Sequence, residues 1–349
     1  MLKNAHGRLL LIRADGGPQI GFGHVMRSMA VAEEWLARGG RCVWATNQPR
    51  ALDAAGSGRD DIKVAAMSED AGGVADARAT RQLAESSDAD WVLADLHVFS
   101  PAYFSSAGSR GARWVIAHDE PLQVNERIHA ILNPGPHATP GLYSGRDAKC
   151  GLMLGLDYAL VRGELHVGDS RLRARPRPPA NVLITFGGSD PGDLTWRSLC
   201  ALSGEAVRSD VRFRVVLGPG YRGQCAERGA DFPGLSIELV RYTSNMGGHY
   251  SWADLIVCGA STTLWEAFYF GLPAVVMPAA PNQPLVFDAL AGCAAVRGCE
   301  KPDAEFGRLM SAIVSGGESD WLAGAGDAAL QLVDGNGAAR VADFLLAQK

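Results

Sequence analysis

The chain has 349 residues, enough for two domains with separate cores, and its 47% hydrophobic and 20% charged residues are those of an ordinary globular protein. A net charge of −5, from 33 basic and 38 acidic residues, argues against duplex nucleic acid as a partner, because its phosphates demand a basic surface; a single nucleotide needs only a few local donors. Seven cysteines without a C-x-x-C pair read as free thiols of a reducing compartment, and no apolar run is long enough for a signal-peptide core or a membrane span, so we expect a cytoplasmic protein.

In chain order, short apolar runs bounded by Gly, Pro, Asn or Asp predict strands over 9–12, 41–46, 62–66, 91–95, 114–117, 130–133 and 151–154. Their near-continuous hydrophobicity suits strands covered on both faces, and helical patterns between them, such as 25–38, point to a parallel sheet. Residues 163–180 hold four arginines and three prolines and predict an extended, solvated connector. The rhythm then restarts with strands over 182–186, 213–217, 237–240, 255–258 and 274–277, a helix over 262–270 and a closing helix over 338–347. The fold class is therefore α/β: two Rossmann-like doubly wound domains, 1–165 and 178–349, facing a central cleft, with the last helix able to pack back on the first domain.

The first strand runs through Asp15 into a glycine-rich loop, and a helix begins near His24. Glycines allow close approach of a ligand, and a helix N-terminus offers unpaired N–H groups. The same helix end disfavours an imidazolium, which keeps His24 able to accept a proton. The spacing is neither a dinucleotide fingerprint nor a P-loop, and alone it fits an ordinary turn with a capping histidine. Further on, Gly187-Gly188-Ser189 ends a strand with amides and a hydroxyl suited to a diphosphate, or with a plain turn capped by Ser189 or Asp190. Ala260-Ser261-Thr262-Thr263 opens the helix that carries Glu266. The loop suits phosphate oxygens and the carboxylate suits two ribose hydroxyls, while a capping box between Thr263 and Glu266 is the competing reading. Asn282 follows a strand and offers an amide to sugar hydroxyls, or starts a helix. Asp95 and His97 end one strand, and His118-Asp119-Glu120 follows another. Asp88-Ala89-Asp90 spells a D-x-D sequence but precedes its strand, so it reads as a solvated turn, and no histidine spacing suggests zinc. We expect no metal and no cofactor.

Together, the Gly-His-Val-Met-Arg segment at 23–27, Phe-Gly-Gly-Ser-Asp-Pro at 186–191, and Ser-Thr-Thr-Leu-Trp-Glu at 261–266 with Gly-Leu-Pro at 271–273 resemble the UDP-sugar hydrolases of pseudaminic acid biosynthesis. That family lies in the glycosyltransferase-B-like (GT-B) superfamily, beside the MurG-type transferases. The resemblance runs over roughly residues 8–290 and includes Asn133-Pro134 and the segment 154–162. It implies metal-independent hydrolysis of a UDP-activated diacetamido-trideoxy hexose, releasing UDP and free sugar in nonulosonic acid and surface-glycan biosynthesis. It also implies His24 as the base that activates water, Glu266 at the ribose and Asn282 near the sugar. Asp15, Gly23, Arg27, Asp95 and His97 join Asn282 as candidates for the sugar side. Gly187, Gly188, Ser189, Ala260, Ser261, Thr262 and Thr263 join Glu266 at the nucleotide. The sequence departs from the family at Asp95-Leu96-His97, where Asp-His-Tyr is frequent, and at His118-Asp119, where paired aspartates are frequent; these changes bear on which sugar is held. The expected partner is a UDP-sugar, with no nucleic acid, no transmembrane segment, and a monomer or weak dimer. The alternatives are a GT-B glycosyltransferase that uses the UDP-sugar as donor, with His24 acting on an acceptor hydroxyl, and a non-catalytic nucleotide-sugar-binding protein.

Overall fold

The computed structural model describes residues 3–17, 20–49, 52, 59–67, 70–108, 111–124, 127–166, 174–241 and 243–348. The chain divides into two compact units, Met1–Gly163 with Gly335–Lys349, and Glu164–Asp334.

The first unit is built on a seven-stranded sheet in the order β3-β2-β1-β4-β5-β6-β7, with every pairing parallel. The strands are β1 (Leu9–Ala14), β2 (Arg41–Thr46), β3 (Ile62–Ala66), β4 (Trp91–Asp95), β5 (Arg113–Ala117), β6 (Ala130–Asn133) and β7 (Gly151–Leu154). Alternate residues of β1 face opposite cores. Leu10 and Ile12 pack with Val25, Met29 and Trp35 of the helix Gly23–Ala37, and Leu9 and Leu11 pack with Tyr103, Phe104 and Trp114. Sealing both faces is what demands continuous apolar strands. The last helix, Gly337–Ala347, adds Val341 and Leu345 to the first of these cores. Its Leu345 carbonyl accepts from the Trp91 indole at 3.2 Å, and its Asp343 pairs with Arg38 at 2.5 Å.

The second unit repeats the plan with six parallel strands in the order β10-β9-β8-β11-β12-β13. They are β8 (Asn181–Thr185), β9 (Arg212–Leu217), β10 (Ser236–Arg241), β11 (Leu255–Gly259), β12 (Ala274–Met277) and β13 (Val296–Gly298). This unit ends at Asp334 and not at Lys349, because the residues that follow make their contacts in the first unit. In the predicted connector, residues 167–173 lie outside the described residues. Arg175 is not solvated as expected. Its guanidinium donates to the carbonyl oxygens of Ala253, Phe270 and Gly271, two of which close the helix Thr262–Tyr269.

In each sheet the strand order reverses beside the first strand, between β1 and β4 and between β8 and β11. Ligands of open α/β sheets bind at the carboxyl ends of strands at such switch points. Among the described residues, no helix is long and apolar enough to cross a membrane.

Candidate active site

At the first switch point, Ala14 and Asp95 are register partners at the ends of β1 and β4. The chain leaves β1 through a loop pinched shut by two hydrogen bonds of 2.8 Å between Gly17 and Gly21. A Cβ on Gly16 would meet Val25 Cγ2 at 2.7 Å, so this turn requires glycine. Pro18 and Gln19, at its tip, lie outside the described residues. The helix that follows has Phe22 at its N-cap, no side-chain cap and no acidic residue in its first turn, so its positive end is left uncompensated.

His24, Arg27 and Ser28 lie on one face of that helix, at i, i+3 and i+4, and all three are buried. They converge on Asp95, which is 0% exposed. His24 Nδ1 lies 2.7 Å from Asp95 Oδ1. Arg27 donates through Nε to Oδ2 at 2.7 Å and through Nη2 to Oδ1 at 2.6 Å, and the Ser28 hydroxyl donates to Oδ2 at 2.9 Å. Arg27 Nη1 donates to Asp119, just beyond the end of β5. A carboxylate only accepts, so the short contact places a proton on His24 Nδ1 and makes Nε2 the basic nitrogen. Arg27 Nη2, 3.1 Å from the same Nδ1, is then a neighbour and not a donor to it.

Burial alone would raise the pKa of Asp95, but Arg27 and then His24 outweigh it and hold the carboxyl well below the ordinary range. Asp119 is lowered in the same way, against its burial, by Arg27 and His24. Arg27 is held charged by Asp119 and Asp95 despite its own desolvation. His97 keeps a solvent-facing side, and its ring meets that of His24 edge-on at 6.0 Å between centroids. Its pKa is lowered, first by partial burial of the ring and then by His24 and His118.

The structure thus brings together His24, Arg27, Asp95 and His97, with Gly23 exposed at the start of the helix. Asp15 is not part of this group. Its Oδ1 accepts from the Thr46 hydroxyl at 2.7 Å and the Asn47 amide at 2.9 Å, and its Oδ2 pairs with Arg13 at 2.8 Å. Ser28 is not among the sequence candidates, and Asp119, noted there only within the segment after β5, is not among the assigned site residues. For Ser28 the signal was a polar residue at core spacing on an apolar helix; for Asp119 it was a carboxylate just past a strand adjacent to β4. Asp88-Ala89-Asp90 lies at the opposite, amino-terminal end of β4, where Asp90 accepts the Leu9 amide at 2.8 Å. Among the described residues, no group of three or more His, Cys, Asp or Glu side chains could hold a metal ion.

At the second switch point, β8 ends at Thr185 beside Cys258 of β11. Gly187 stands at φ +79, and Gly187, Gly188 and Ser189 are half-buried. Asp190 accepts the amides of Leu194 and Thr195 at 2.8 Å each, so it, and not Ser189, holds the start of the helix Leu194–Ser203. Gly188 O accepts from Gly220, and a Cβ on Gly218 would meet the carbonyl oxygens of Gly187 and Gly188 at 2.3 and 2.4 Å.

Across the switch, part of the expected phosphate cradle is already engaged. The Ala260 amide donates to Met277 O at 3.2 Å and the Ser261 amide to Gly259 O at 2.9 Å. Thr262 and Thr263 occupy the first turn of the helix, where amides have no intrahelical acceptor. The capping box does not form. Ser261 is the N-cap, and Glu266, 4% exposed, accepts from the Tyr250 hydroxyl at 2.7 Å. Asn282 is half-buried in the loop after β12, next to Gln283, whose Oε1 accepts the Ala279 amide at 2.8 Å.

Residues 182–293, which span this second switch point, match the glycosyltransferase family 28 C-terminal domain. Among curated proteins, an uncharacterized protein of Methanocaldococcus jannaschii is 28% identical over 144 residues, 39% of this chain and 28% of that protein. The UDP-N-acetylglucosamine–N-acetylmuramyl-(pentapeptide) pyrophosphoryl-undecaprenol N-acetylglucosamine transferase of Leptospira interrogans is 27% identical over 99 residues, 28% of this chain and 26% of that enzyme. The spore coat polysaccharide biosynthesis protein SpsG of Bacillus subtilis is 28% identical over 103 residues, 30% of each chain. The chain therefore spans less than a third of the length of these relatives. MurG of Acinetobacter baumannii superposes with a TM-score of 0.65 at 19% identity, over 98% of this chain and 100% of that one. The glycosyltransferase SnogD of Streptomyces nogalater gives 0.64 at 18%, over 97% and 99%. At these identities the likeness is one of fold, and the fold is that of the GT-B glycosyltransferases.

Proposed function

We propose that this protein is a glycosyltransferase that uses a UDP-sugar as donor, with His24 as general base on the acceptor hydroxyl. The observation that carries this reading is the 2.7 Å contact between Asp95 and His24 Nδ1 at the β1/β4 switch point. It fixes the tautomer with Nε2 basic, and the folded chain holds Asp95 ionised through Arg27. Nε2 takes the hydroxyl proton, the acceptor oxygen bonds the anomeric carbon, and the bond from that carbon to the diphosphate oxygen breaks. UDP leaves with the electron pair. Donors suited to a diphosphate's growing charge occur in the second unit: the first-turn amides of Thr262 and Thr263 and the Gly187–Ser189 loop. Glu266, set by Tyr250, is assigned to the ribose, and Asn282 to the sugar. Arg27 is neutralised by Asp95 and Asp119, so it orients the base and is not a diphosphate ligand.

The family match over 182–293 and the transferase named among the relatives support transfer over hydrolysis. Hydrolysis of the same donor, with water in place of the acceptor, is the second reading, and the resemblance of residues 23–27 to the UDP-sugar hydrolases favours it. A panel of UDP-hexosamines incubated with protein alone, followed by NMR, separates the two. Stoichiometric release of free sugar at the full rate supports hydrolysis; turnover that waits for an acceptor supports transfer. In either case His24→Ala should lower kcat by about 10²- to 10⁴-fold and leave UDP binding unchanged by calorimetry. Full activity in that variant removes His24 from the role of base.

A further inference from the structure

The mechanism leaves one set of buried charges unused. Arg13, on β1 and 0% exposed, donates through Nε to Asp76 Oδ1 at 2.7 Å and pairs through Nη1 with Asp15. Asp76, also 0% exposed, lies in the first turn of the helix Val74–Ser86, and its Oδ2 accepts the Gly72 amide at 2.9 Å. The Gly72 carbonyl in turn accepts the Ser100 amide at 2.9 Å. Gly72 stands at φ +77, and a Cβ there would lie 1.9 Å from the Val98 carbonyl oxygen. A continuous run of contacts therefore passes from Arg13 through Asp76 and Gly72 to the backbone of residues 98–100. His97 immediately precedes that segment. Leu96 and Phe99 are buried, whereas Val98 is 61% exposed, so side-chain packing anchors the ends of the loop and the Gly72 backbone sets its middle.

Two carboxylates on one buried guanidinium make a weak stabiliser, because desolvation consumes much of the attraction and apolar side chains would serve the core as well. Arg13 Nη2 also has no hydrogen-bond acceptor among the described residues. What such a cluster supplies is a fixed geometry. We propose that Arg13 and Asp76 are positioning residues that lock the Gly72 turn and, through it, set where the 96–99 loop holds His97 beside His24. This rests on the reading of His24 and His97 as groups that face the substrate.

Histidine-ring NMR across pH reads His97 without substrate. Partial burial, then His24 and His118, keep its pKa below the ordinary value, with Glu120 and Asp119 opposing. Gly72→Ala puts a methyl against the Val98 carbonyl without touching the charged cluster, and Asp76→Asn keeps the shape but turns an amide NH₂ on Arg13 or Gly72. In both variants the His97 titration should move up toward about 6.5. With UDP release from the UDP-hexosamine of that panel that is turned over, with acceptor added where turnover waits for one, both should lower kcat about tenfold while KM stays within about twofold. Neither should add to His97→Ala, since the three substitutions act through one group. An unmoved His97 titration in Gly72→Ala overturns the proposal, even where Asp76→Asn fails to fold. A moved titration with unchanged kcat keeps the positioning role and overturns the assignment of His97 to the substrate. The role of His24 is tested separately by His24→Ala.

Discussion

Asp95 accepts hydrogen bonds from His24, from two nitrogens of Arg27 and from Ser28, and among the described residues no other buried carboxylate of the first unit gathers so many donors. Asp95→Asn keeps the shape but loses the charge. The amide must turn an NH₂ toward Arg27 or His24, and Arg27 is left with Asp119 alone. Removing one partner of a buried pair typically costs about 3–5 kcal/mol, and losing the tautomer lock should lower kcat by at least about a hundredfold. The two effects separate by pH. The folded-state pKa of Asp95 lies below its unfolded value, so the unfolded chain binds more protons and stability rises with pH. The contribution of Asp95 is complete above about pH 4 and drains away as pH falls toward its folded value. Urea midpoints measured from pH 7 to pH 3 should therefore fall less steeply in Asp95→Asn than in the parent. Parallel curves would mean that the carboxylate is not held ionised by its neighbours.

The elements that place these residues were legible because their sequence pattern is unambiguous. Parallel strands sealed on both faces read as apolar runs, and β2, β4, β6 and β12 keep their predicted limits, as do the less buried edge strands β3 and β7. β13 escaped because Val296–Gly298 is three residues long with an arginine at its centre, too short for any period. Loops were less legible, since the partners of a loop come from elsewhere in the chain. Nothing local to Ala260 says that its amide is taken by Met277 O, and nothing near Asp15 says that Thr46 and Asn47 claim it. Gly218 is the sharpest case. It follows β9 and reads as an ordinary turn glycine, yet it interlocks with the loop after β8. In Gly218→Ala the new methyl would meet two carbonyl oxygens of the Gly187-Gly188 backbone, neither of which can swing aside like a side chain. The 187–189 loop must shift, and UDP affinity should fall about tenfold, a loss of about 1.4 kcal/mol. Calorimetry with UDP measures this. Unchanged affinity with a normal melting temperature would exclude the loop from the nucleotide site.

At the scale of the whole chain, the two sheets share one strand order over six strands, with β7 added to the first, and the sequence announces the duplication through its restarted α/β rhythm. It does not announce where the chain returns. The helix Gly337–Ala347 follows the second sheet directly, and its apolar periodicity fits any core. Its ownership is decided by partners far back in the chain: Trp91 donates to Leu345 O, Arg38 pairs with Asp343, and a Cβ on Gly337 would stand 2.1 Å from the Ala159 carbonyl. The unit that holds His24 is thus completed by the helix Gly337–Ala347. Leu345 is 0% exposed in the core shared by Leu10, Ile12 and Trp91, so Leu345→Ala should cost about 2–5 kcal/mol. Native-state hydrogen exchange locates that loss, because each amide reports the opening that exposes it. Amides of β1 and β4 should exchange faster in the variant, whereas those of β8, β11 and β12, whose core holds no residue of the last helix, should keep their protection. Equal loss of protection in both sheets would mean that the last helix stabilises the chain as a single cooperative body.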